Sequence, residues 1–363
     1  MHRIAIAGIG NVAEMHAAAI GDIEDATVVA GSCRTESKGR AFADEFDCGW
    51  FAEAEAMLEE TDPDVLSVCT PSGAHLEPTL AAAEREVAVL CEKPLEIATE
   101  RVDRMITVAE DNDVLLGGIF QQRYNPVVRT VREAVTEGRF GDLSVANAYV
   151  PWWRDDEYYE GSWKGTRELD GGGALMNQSI HGVDAIQWLA ASASDAAGDE
   201  NPVEEVFAYT AKRGHDPDLI EVEDTAVAVV RYRDGTLGQI LGTTSMYPGS
   251  LKRLQVAGRG GTAEILEDEL VTWSFREERP DDDEVRERFS AETEGGGAAD
   301  PMSIGYDNHL RNIEDFLGAL DSGEAYPLDG REARKAVAII EAIYESAETG
   351  DPVAVETRDG SGV

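Results

Sequence analysis

The first third of the chain alternates short apolar runs with stretches of helical periodicity. The runs are rich in β-branched residues and read RIAIAG, ATVVAGS, DVLSVCT, VAVLCE and VLLGGIF. Alternation of strands and helices predicts a parallel sheet with right-handed crossover connections. Because nearly every residue of these strands is apolar, we expect helices on both faces of the sheet, as in a doubly wound α/β fold.

Beyond residue 121 the pattern changes, because strand-like runs follow one another with few helices between them. After a helix over Pro126–Glu137 come LSVANAYV, EEVFAYTAK, DTAVAVVRY, TLGQILGTT, LKRLQVAG and TAEILE. Consecutive strands favour an antiparallel or mixed sheet. We therefore predict two domains, residues 1–121 and residues 122–363.

The last part of the chain is predicted to be helical after an acidic, glycine-rich stretch. That stretch, Glu278–Asp300, has almost no large apolar residues and is expected to be a mobile loop. Helices are predicted over Asp307–Leu320 and Arg331–Glu348.

The charge of the chain excludes some classes of partner. The sequence has 72 acidic residues and 31 lysines and arginines, a formal net charge of −41, which would repel a nucleic acid or an anionic membrane. No apolar run is long enough to span a membrane, and the start MHRIAIAGIG has no export leader, so a cytoplasmic protein is expected. The spread acidity, with six lysines beside twenty-five arginines, points to a halophilic source or merely to high solubility.

The cysteines and histidines show no metal-binding pattern. The four cysteines are widely spaced and form no C-x-x-C pair, and there is no H-E-x-x-H sequence. We expect free thiols and no metal site.

The first strand ends in a glycine-rich turn typical of dinucleotide binding. The sequence is Gly8-Ile9-Gly10-Asn11-Val12-Ala13, or G-x-G-x-x-A, and it stands between a strand and a helix. Glycines permit a tight turn and let a pyrophosphate approach the backbone at the helix N-terminus. Gly8, Gly10, Asn11 and Val12 are therefore candidate cofactor residues, although the same turn can serve another ligand in a doubly wound domain.

The end of the second strand favours NADP over NAD. An acidic residue there would accept the ribose hydroxyls of NAD, but the run is Gly31-Ser32-Cys33-Arg34. Ser32, Arg34 and Lys38 offer hydrogen-bond donors and positive charge to a 2′-phosphate. NAD stays possible, since Arg34 could instead stack on the adenine or pair with Glu36.

Three further strings accompany these features. They are C-T-P-S-G-A-H over residues 69–75, E-K-P over residues 92–94 and G-G-G-A-L-M-N-Q-S-I-H-G-V-D over residues 171–184. In combination they resemble the Gfo/Idh/MocA family of nicotinamide-dependent sugar and cyclitol oxidoreductases, and the resemblance covers nearly the whole chain.

The resemblance implies a Rossmann domain followed by an α/β domain with a large, mostly antiparallel open sheet, and an active site between them. Such a sheet commonly serves oligomerisation, so a homodimer or homotetramer is expected. By position, Thr70, Pro71 and His75 would line the cofactor cleft. Glu92 and Lys93 would lie by the nicotinamide, and Pro94 would fix the turn, often through a cis peptide.

At Asn177 the sequence departs from the inositol dehydrogenases of the family, which commonly have aspartate four residues before the histidine. Asparagine keeps hydrogen bonding but cannot take up a proton. The difference indicates another sugar subclass, since other members of the family also have asparagine here.

Lys93 and His181 suit the oxidation of a secondary alcohol. The reaction needs a hydride acceptor and a group that removes the hydroxyl proton. Histidine titrates close to neutrality, and a lysine ammonium can stabilise an alkoxide-like oxygen. We assign His181 as the proton acceptor and Lys93 as its electrostatic partner, although the two roles could be exchanged; Asn177 completes the catalytic set.

The segment before the glycine run concentrates aromatic residues between Pro151 and Arg167. Aromatic faces suit the C–H surface of a sugar ring, and basic side chains suit its hydroxyls or a carboxylate. Candidate substrate residues are Tyr158, Trp163, Lys164 and Arg167, with Tyr306 a weaker one; an interdomain or subunit plug is the other interpretation of this segment.

The leading hypothesis is an NAD(P)-dependent dehydrogenase or reductase that acts on a secondary hydroxyl of a small-molecule sugar, sugar acid, nucleotide sugar or cyclitol. One alternative is a glycoside-cleaving enzyme that keeps its nicotinamide cofactor tightly bound. Another is a regulator that senses the cofactor without turnover, although Lys93 and His181 argue against it.

Overall fold

The computed structural model describes residues 1–191, 200–290 and 306–358. They form two compact units. The first contains residues 1–121 and 306–334, and the second contains the described residues of the range 122–290 together with residues 335–358. The domain division predicted from the sequence stays a prediction. These units differ from it by grouping residues 306–334 with the N-terminal part.

Helices of the described residues include the three predicted over Pro126–Glu137, Asp307–Leu320 and Arg331–Glu348, each found to within two residues at either end. In chain order, the helices of the described residues are α1 (Asn11–Gly21), α2 (Glu36–Phe46), α3 (Ala54–Thr61), α4 (Leu76–Ala83), α5 (Thr99–Asp111), α6 (Pro126–Thr136), α7 (Ile180–Ala191), α8 (Asp282–Arg288), α9 (Asp307–Ser322) and α10 (Gly330–Thr349). Among the described residues, no helix is both long and apolar enough to cross a membrane.

The first unit contains a six-stranded parallel sheet in the order β3-β2-β1-β4-β5-β6. Its strands are β1 (His2–Ala7), β2 (Ala26–Ser32), β3 (Gly49–Phe51), β4 (Val65–Val68), β5 (Ala88–Cys91) and β6 (Leu116–Gly118). Every residue of β4 and β5 is buried, as expected for strands covered on both faces. The doubly wound Rossmann fold is confirmed.

The strand order reverses at β1, and this reversal determines where a ligand can bind. Ala7 at the end of β1 pairs with Ser32 of β2 on one side and with Val68 of β4 on the other. In open α/β sheets, ligands bind at such a switch point, beyond the carboxyl ends of the strands. The turns that follow Ala7, Ser32 and Val68 therefore lie at one edge of the sheet.

The second unit contains an eight-stranded sheet in the order β13-β12-β11-β7-β10-β9-β8-β14. Its strands are β7 (Leu143–Pro151), β8 (Val203–Ala211), β9 (Thr225–Tyr232), β10 (Leu237–Thr243), β11 (Arg253–Gly258), β12 (Gly261–Leu266), β13 (Glu269–Phe275) and β14 (Val353–Ala354). Within this sheet, only the β7–β10 pair is parallel among the described strands, so the predicted large, mostly antiparallel sheet is confirmed. Burial alternates along β9, which leaves one face of that strand exposed.

Part of the predicted loop Glu278–Asp300 is ordered, and that part of the prediction is wrong. Helix α8 lies within it, and the carboxylate of Asp282 is 1% exposed. This carboxylate accepts hydrogen bonds from the Arg139 guanidinium at 2.8 Å and from Trp273 Nε1 at 2.7 Å. One buried acidic side chain thus anchors an otherwise polar segment; residues 291–300 of the predicted loop lie outside the described residues.

Candidate active site

Gly8 brings the ends of β1 and β4 into close backbone contact. Its φ angle is +90°, and a Cβ atom at this position would lie 2.6 Å from the backbone nitrogen of Thr70. Its own N–H donates to the carbonyl of Ser32 at 2.9 Å. Only glycine satisfies both the left-handed conformation and the contact with Thr70.

The N-terminus of α1 has the properties of a phosphate site. Gly10 is its N-cap, and a Cβ atom there would meet nothing within 4 Å. Asn11 and Val12, in the first turn, are exposed. The first intrahelical hydrogen bond runs from Glu14 N to Gly10 O, so the N–H groups of the first turn precede the hydrogen-bond ladder of the helix. A pyrophosphate fits this combination of open space, N–H groups and positive helix dipole.

Ser32, Arg34 and Lys38 lie at the carboxyl end of β2 and in the turn and helix after it. Ser32 is buried, whereas Arg34 and Lys38 are exposed. Glu36 pairs with Arg40 at 2.8 Å and is therefore not the partner of Arg34. Among the described residues, neither Arg34 nor Lys38 forms an ion pair, so both charges are available to a ligand.

His75 braces two turns of the first unit against each other. Its ring nitrogens lie 2.8 Å from the Thr70 carbonyl and 2.9 Å from the Pro94 carbonyl. The imidazole is 1% exposed, so the side chain itself offers little surface to a cofactor. Thr70 and Pro71 are half-buried. Thr70 Oγ1 donates to the Ala74 carbonyl at 2.9 Å, which closes the turn that follows β4.

Lys93 lies in a turn that is held by the buried carboxylate of Glu92. The Lys93–Pro94 peptide is cis, as the resemblance led us to expect. The backbone N–H of Lys93 donates to Glu92 Oε2 at 3.1 Å, and Glu92 Oε1 lies 3.1 Å from His16 Nε2. Burial by itself would raise the pKa of Glu92, but the hydrogen bond and charge of His16 and the charge of Lys93 hold this pKa well below its ordinary range.

In the second unit, Asn177 belongs to a hydrogen-bonded chain of side chains. Its amide donates to Asp170 Oδ1, and its Oδ1 accepts from Gln178 Nε2 at 2.7 Å. Gln178 Nε2 also lies 2.7 Å from the Tyr158 hydroxyl, and Gln178 Oε1 accepts from the Arg154 guanidinium at 2.9 Å. These hydrogen bonds connect the aromatic segment to the segment that carries Asn177.

Asn177 lies in one turn of π-helix, Ala174–Ser179, that leads directly into α7. Glu223 accepts the N–H groups of Gly173 and Leu175, each at 2.9 Å. A Cβ atom on Gly173 would lie 1.8 Å from the Glu223 carbonyl oxygen, so the glycine run is a close-packed entry to the helix. Single π-helical turns are frequent at functional sites. His181 is the second residue of α7, half-buried and four residues beyond Asn177.

The aspartate of the H-G-V-D sequence has a structural partner. Asp184 is fully buried, and its carboxylate accepts from Arg123 Nε at 2.8 Å and from Arg123 Nη2. Arg123 belongs to the short 3₁₀ turn Gln121–Tyr124. This two-pronged ion pair fixes α7, and with it the backbone of His181.

The four candidate substrate residues of the aromatic segment are only partly brought together. The Lys164 ammonium lies 3.7 Å from the centre of the Tyr158 ring, which is close enough for a cation–π contact. Trp163 is half-buried and Arg167 is exposed. Tyr306 belongs to the first unit, where its hydroxyl donates to Asp22 at 2.7 Å.

Sequence reasoning missed Asp170, Gln178, Arg154 and Glu223, which orient Asn177 and the glycine run. No motif includes Arg154 or Glu223. Asp170 and Gln178 border residues already singled out, and the adjacency to the glycine run was the available signal for Asp170. Their importance follows from contacts that only the folded chain shows.

Comparison with known proteins covers nearly the whole chain. Residues 2–119 match the description "Oxidoreductase family, NAD-binding Rossmann fold", and residues 132–355 match "Oxidoreductase family, C-terminal alpha/beta domain". The chain is 26% identical to myo-inositol 2-dehydrogenase of Thermotoga maritima, with 98% of each chain covered. It is 25% identical to D-xylose 1-dehydrogenase (NADP(+)) 2 of Haloferax volcanii, with 96% of this chain and 98% of the relative covered.

A solved structure is similar in both sequence and fold. The WlbA dehydrogenase from Bordetella pertussis, in complex with NADH and UDP-GlcNAcA, superposes with a TM-score of 0.83 at 28% identity. The similarity covers 98% of this chain and 99% of that one. Together with the two matched domains, this confirms the resemblance read from the glycine turn, E-K-P and the H-G-V-D helix: the chain belongs to the Gfo/Idh/MocA family of oxidoreductases.

Proposed function

We propose that the protein transfers hydride between a nicotinamide cofactor, preferably NADP, and a secondary hydroxyl of a sugar, sugar acid, nucleotide sugar or cyclitol. The observation that carries the proposal is the glycine turn, where Gly8 packs against the backbone of Thr70 and Gly10 leaves open space before α1. The substrate class is supported by the relatives, whose names specify an inositol, a pentose and a nucleotide sugar.

The preference for NADP rests on the end of β2. Arg34 and Lys38 are exposed there, and Glu36, the acidic residue nearest to them, is held by Arg40. A 2′-phosphate would therefore meet two cations and no uncompensated carboxylate. The Haloferax relative is named for NADP, whereas the Bordetella structure contains NADH, so the family accommodates both cofactors.

The chemistry is assigned to Lys93, His181 and Asn177. When bound, the nicotinamide supplies the hydride acceptor or donor. His181 takes the proton from the substrate hydroxyl, and the Lys93 ammonium donates a hydrogen bond to the same oxygen as its negative charge grows. Asn177 binds and orients a substrate hydroxyl. His75 and Glu92 hold the turn that presents Lys93.

Substrate contacts are assigned to the aromatic segment. Tyr158 and Lys164, already in contact, would offer a ring face and a cation to a polyol. Trp163 and Arg167 extend this surface, Trp163 with an apolar face and Arg167 with a charge for a carboxylate or phosphate substituent.

We also propose that the enzyme is a homodimer or homotetramer that associates through the exposed face of the eight-stranded sheet. Val227 and Val229 of β9 are 46% and 51% exposed, and Leu237 of β10 and Tyr209 of β8 are 57% and 69% exposed. Val229 is flanked by Phe207 and Gln239, and Val227 by Tyr209 and Leu241. Exposed apolar side chains on three neighbouring strands favour a protein partner.

A cytoplasmic location and activity in concentrated salt complete the proposal. All four cysteines are free thiols, which is typical of a reducing compartment. The net charge of −41 is screened by salt, so folding and activity should improve with KCl.

The test is an assay of the purified protein with NAD and NADP against sugars, sugar acids, nucleotide sugars and inositols in concentrated KCl. The expected result is cofactor reduction or oxidation with one of these classes, and a higher kcat/KM with NADP. Binding of NADPH with no turnover on any of them would contradict the enzymatic role, and release of an aglycone without net cofactor change would point to glycoside cleavage.

A further inference from the structure

Three side chains from distant parts of the sequence converge inside the first unit. His16 lies on α1, Glu92 directly follows β5, and His309 lies on α9. One nitrogen or oxygen atom from each lies within 4.8 Å of the other two, and the residues are 0%, 7% and 5% exposed. Glu92 Oε1 is the common point, 3.1 Å from His16 Nε2 and 3.8 Å from His309 Nε2.

The imidazole of His309 is buried without adequate hydrogen bonding. Its Nδ1 has no hydrogen-bond partner among the described residues, and its Nε2 is too far from Glu92 Oε1 for a hydrogen bond at 3.8 Å. Buried polar groups in folded proteins are nearly always satisfied, and an exception calls for a water or an ion at the site. Nε2, on the opposite side of the ring from the unsatisfied Nδ1, faces the Glu92 carboxylate at 3.8 Å.

The remaining contacts prepare His16 and Glu92 as ligands. Ser67 Oγ lies 2.8 Å from His16 Nδ1, which leaves Nε2 to face Glu92. Glu92 Oε2 accepts the N–H of Lys93 at 3.1 Å, which fixes the carboxylate with Oε1 toward the histidines. Metal-binding histidines and carboxylates are typically oriented by such outer contacts.

The donor set and its spacing suit a transition metal. Two imidazole nitrogens and one carboxylate oxygen are zinc ligands, whereas Mg²⁺ and Ca²⁺ prefer oxygen alone. With zinc–ligand distances of about 2.0–2.1 Å, tetrahedral ligand atoms lie about 3.3 Å apart. The separations from Glu92 Oε1, 3.1 and 3.8 Å, bracket that value. The two imidazole nitrogens lie within 4.8 Å of each other, so side-chain rotations that bring the imidazoles closer together would complete the site.

We propose that His16, Glu92 and His309 bind one divalent ion of the zinc type, with water as the fourth ligand. The ion would join α1, the turn that carries Lys93, and α9, three elements that the chain brings together only on folding. The side chains of Glu92 and His309 are 10% and 6% exposed, which gives an ion a path to the site. The sequence shows no metal motif because the ligands are so far apart along the chain.

The test measures metal binding by the full-length protein, independent of its enzymatic activity. The protein is treated with a chelator, dialysed and titrated with Zn²⁺ and, separately, Co²⁺ in concentrated KCl, which suppresses binding to the acidic surface. We expect one tight site per chain, the strong visible absorption of four-coordinate Co²⁺, and a higher melting temperature with Zn²⁺ but not with Mg²⁺.

The variants His309→Gln and His16→Gln should lose the tight site and the Co²⁺ spectrum. His2→Gln is the matched control, because His2 belongs to the same unit but pairs with Asp321 and is not one of the three clustered side chains, and it should bind as the wild type does. Circular dichroism and NADPH binding show whether each variant is folded. The proposal is overturned if wild-type protein binds no stoichiometric Zn²⁺, or if folded His309→Gln binds it unchanged; the three side chains would then form only a buried ion pair.

Discussion

The side-chain amide of Asn177 donates a hydrogen bond to the buried carboxylate of Asp170. The second oxygen of Asp170 accepts the N–H of Gly165 at 2.7 Å, which fixes the carboxylate. An anion beside the amide determines which end of Asn177 is the donor, so its Oδ1 must face Gln178. Position 177 itself has no carboxylate. The carboxylate of Asp170, which precedes the glycine run in the sequence, lies within hydrogen-bond distance of the Asn177 side chain.

Replacement of Asn177 by aspartate should therefore impair the enzyme. Two carboxylates would lie within hydrogen-bond distance in a mostly buried site, and mutual repulsion would raise the pKa of one of them. We expect kcat/KM at neutral pH to fall by at least about tenfold and to recover partly as the pH is lowered and one carboxyl is protonated. The pH profile of kcat/KM measures this.

The double variant Asp170→Asn, Asn177→Asp is the control. It restores one amide and one carboxylate in exchanged positions, and it should recover much of the kcat/KM at neutral pH that Asn177→Asp loses. If the single variant has the wild-type pH profile, the Asp170–Asn177 contact does not constrain the site.

Lys93→Ala and His181→Ala should each lower kcat by at least about a hundredfold, because each removes a group that acts on the substrate hydroxyl. Binding of NADPH, measured by fluorescence titration, should be nearly unchanged. Lys93→Arg should restore little, since a larger, planar guanidinium cannot take the place of a compact ammonium at the substrate oxygen. Turnover near the wild-type value in either alanine variant would remove that residue from the mechanism.

The apolar runs and short motifs of the sequence were sufficient to predict much of the fold and part of the candidate site. The apolar runs predicted the described strands of both sheets except β3, β13 and β14, and the need for glycine at Gly8 follows from the turn that G-x-G-x-x-A specifies. Strand β3 is only three residues long, too short to produce a periodic signal. Helix α8 is held by the hydrogen bonds of the buried Asp282 carboxylate with Arg139 and Trp273 and not by an apolar face, so the hydrophobic pattern did not predict it.

The side-chain partners of the site could not be predicted, because they depend on which distant residues meet. Nothing near Asp184 indicates that Arg123 will neutralise it, and nothing near Glu92 indicates His16. Such pairings require the positions of two elements to within about 1 Å, since hydrogen-bond distances vary over less than that. Sequence motifs suggested candidate ligand-binding residues, whereas the structure identified the side chains that hold those candidates in place.

Arg34→Ala should weaken NADP binding selectively. Loss of a hydrogen bond to a charged phosphate costs about 1.5–3 kcal/mol, or roughly 10- to 100-fold in KM for NADP, while KM for NAD should change little. Arg104→Ala is the control for the loss of one exposed arginine, because Arg104 lies in the same unit but on α5, away from the end of β2. An equal loss with both cofactors in Arg34→Ala would indicate adenine stacking instead of phosphate recognition.

The buried pair Asp224–His215 should make the stability of the second unit depend on pH. Burial alone would raise the pKa of Asp224, but hydrogen bonds from His215 and from the N–H groups of Gly214 and Arg213 lower this pKa. For His215, burial is outweighed by contacts with Asp224 and the Arg154 carbonyl, which raise its pKa. The contribution of Asp224 is therefore present above about pH 4 and is lost on acidification. That of His215 is present below about pH 6.5 and is lost as the pH rises through its raised pKa.

Urea unfolding of Asp224→Asn and wild type across this pH range measures the effect. The difference in unfolding free energy should be about 3 kcal/mol or more near pH 6 and should shrink below pH 4. A difference that does not vary with pH would mean that Asp224 acts through its shape and backbone contacts alone.

Val229→Glu should dissociate the proposed oligomer. Val229 lies in a cross-strand row between Phe207 and Gln239, on the exposed face of the sheet. A carboxylate there would have to be desolvated against an apolar partner surface, which is unfavourable without a counter-ion. Light scattering coupled to size exclusion should show a smaller species, with the circular dichroism spectrum unchanged. Val229→Thr keeps the β-branched shape and should retain the assembly, so if Val229→Glu leaves the mass unaltered, subunits associate through another surface.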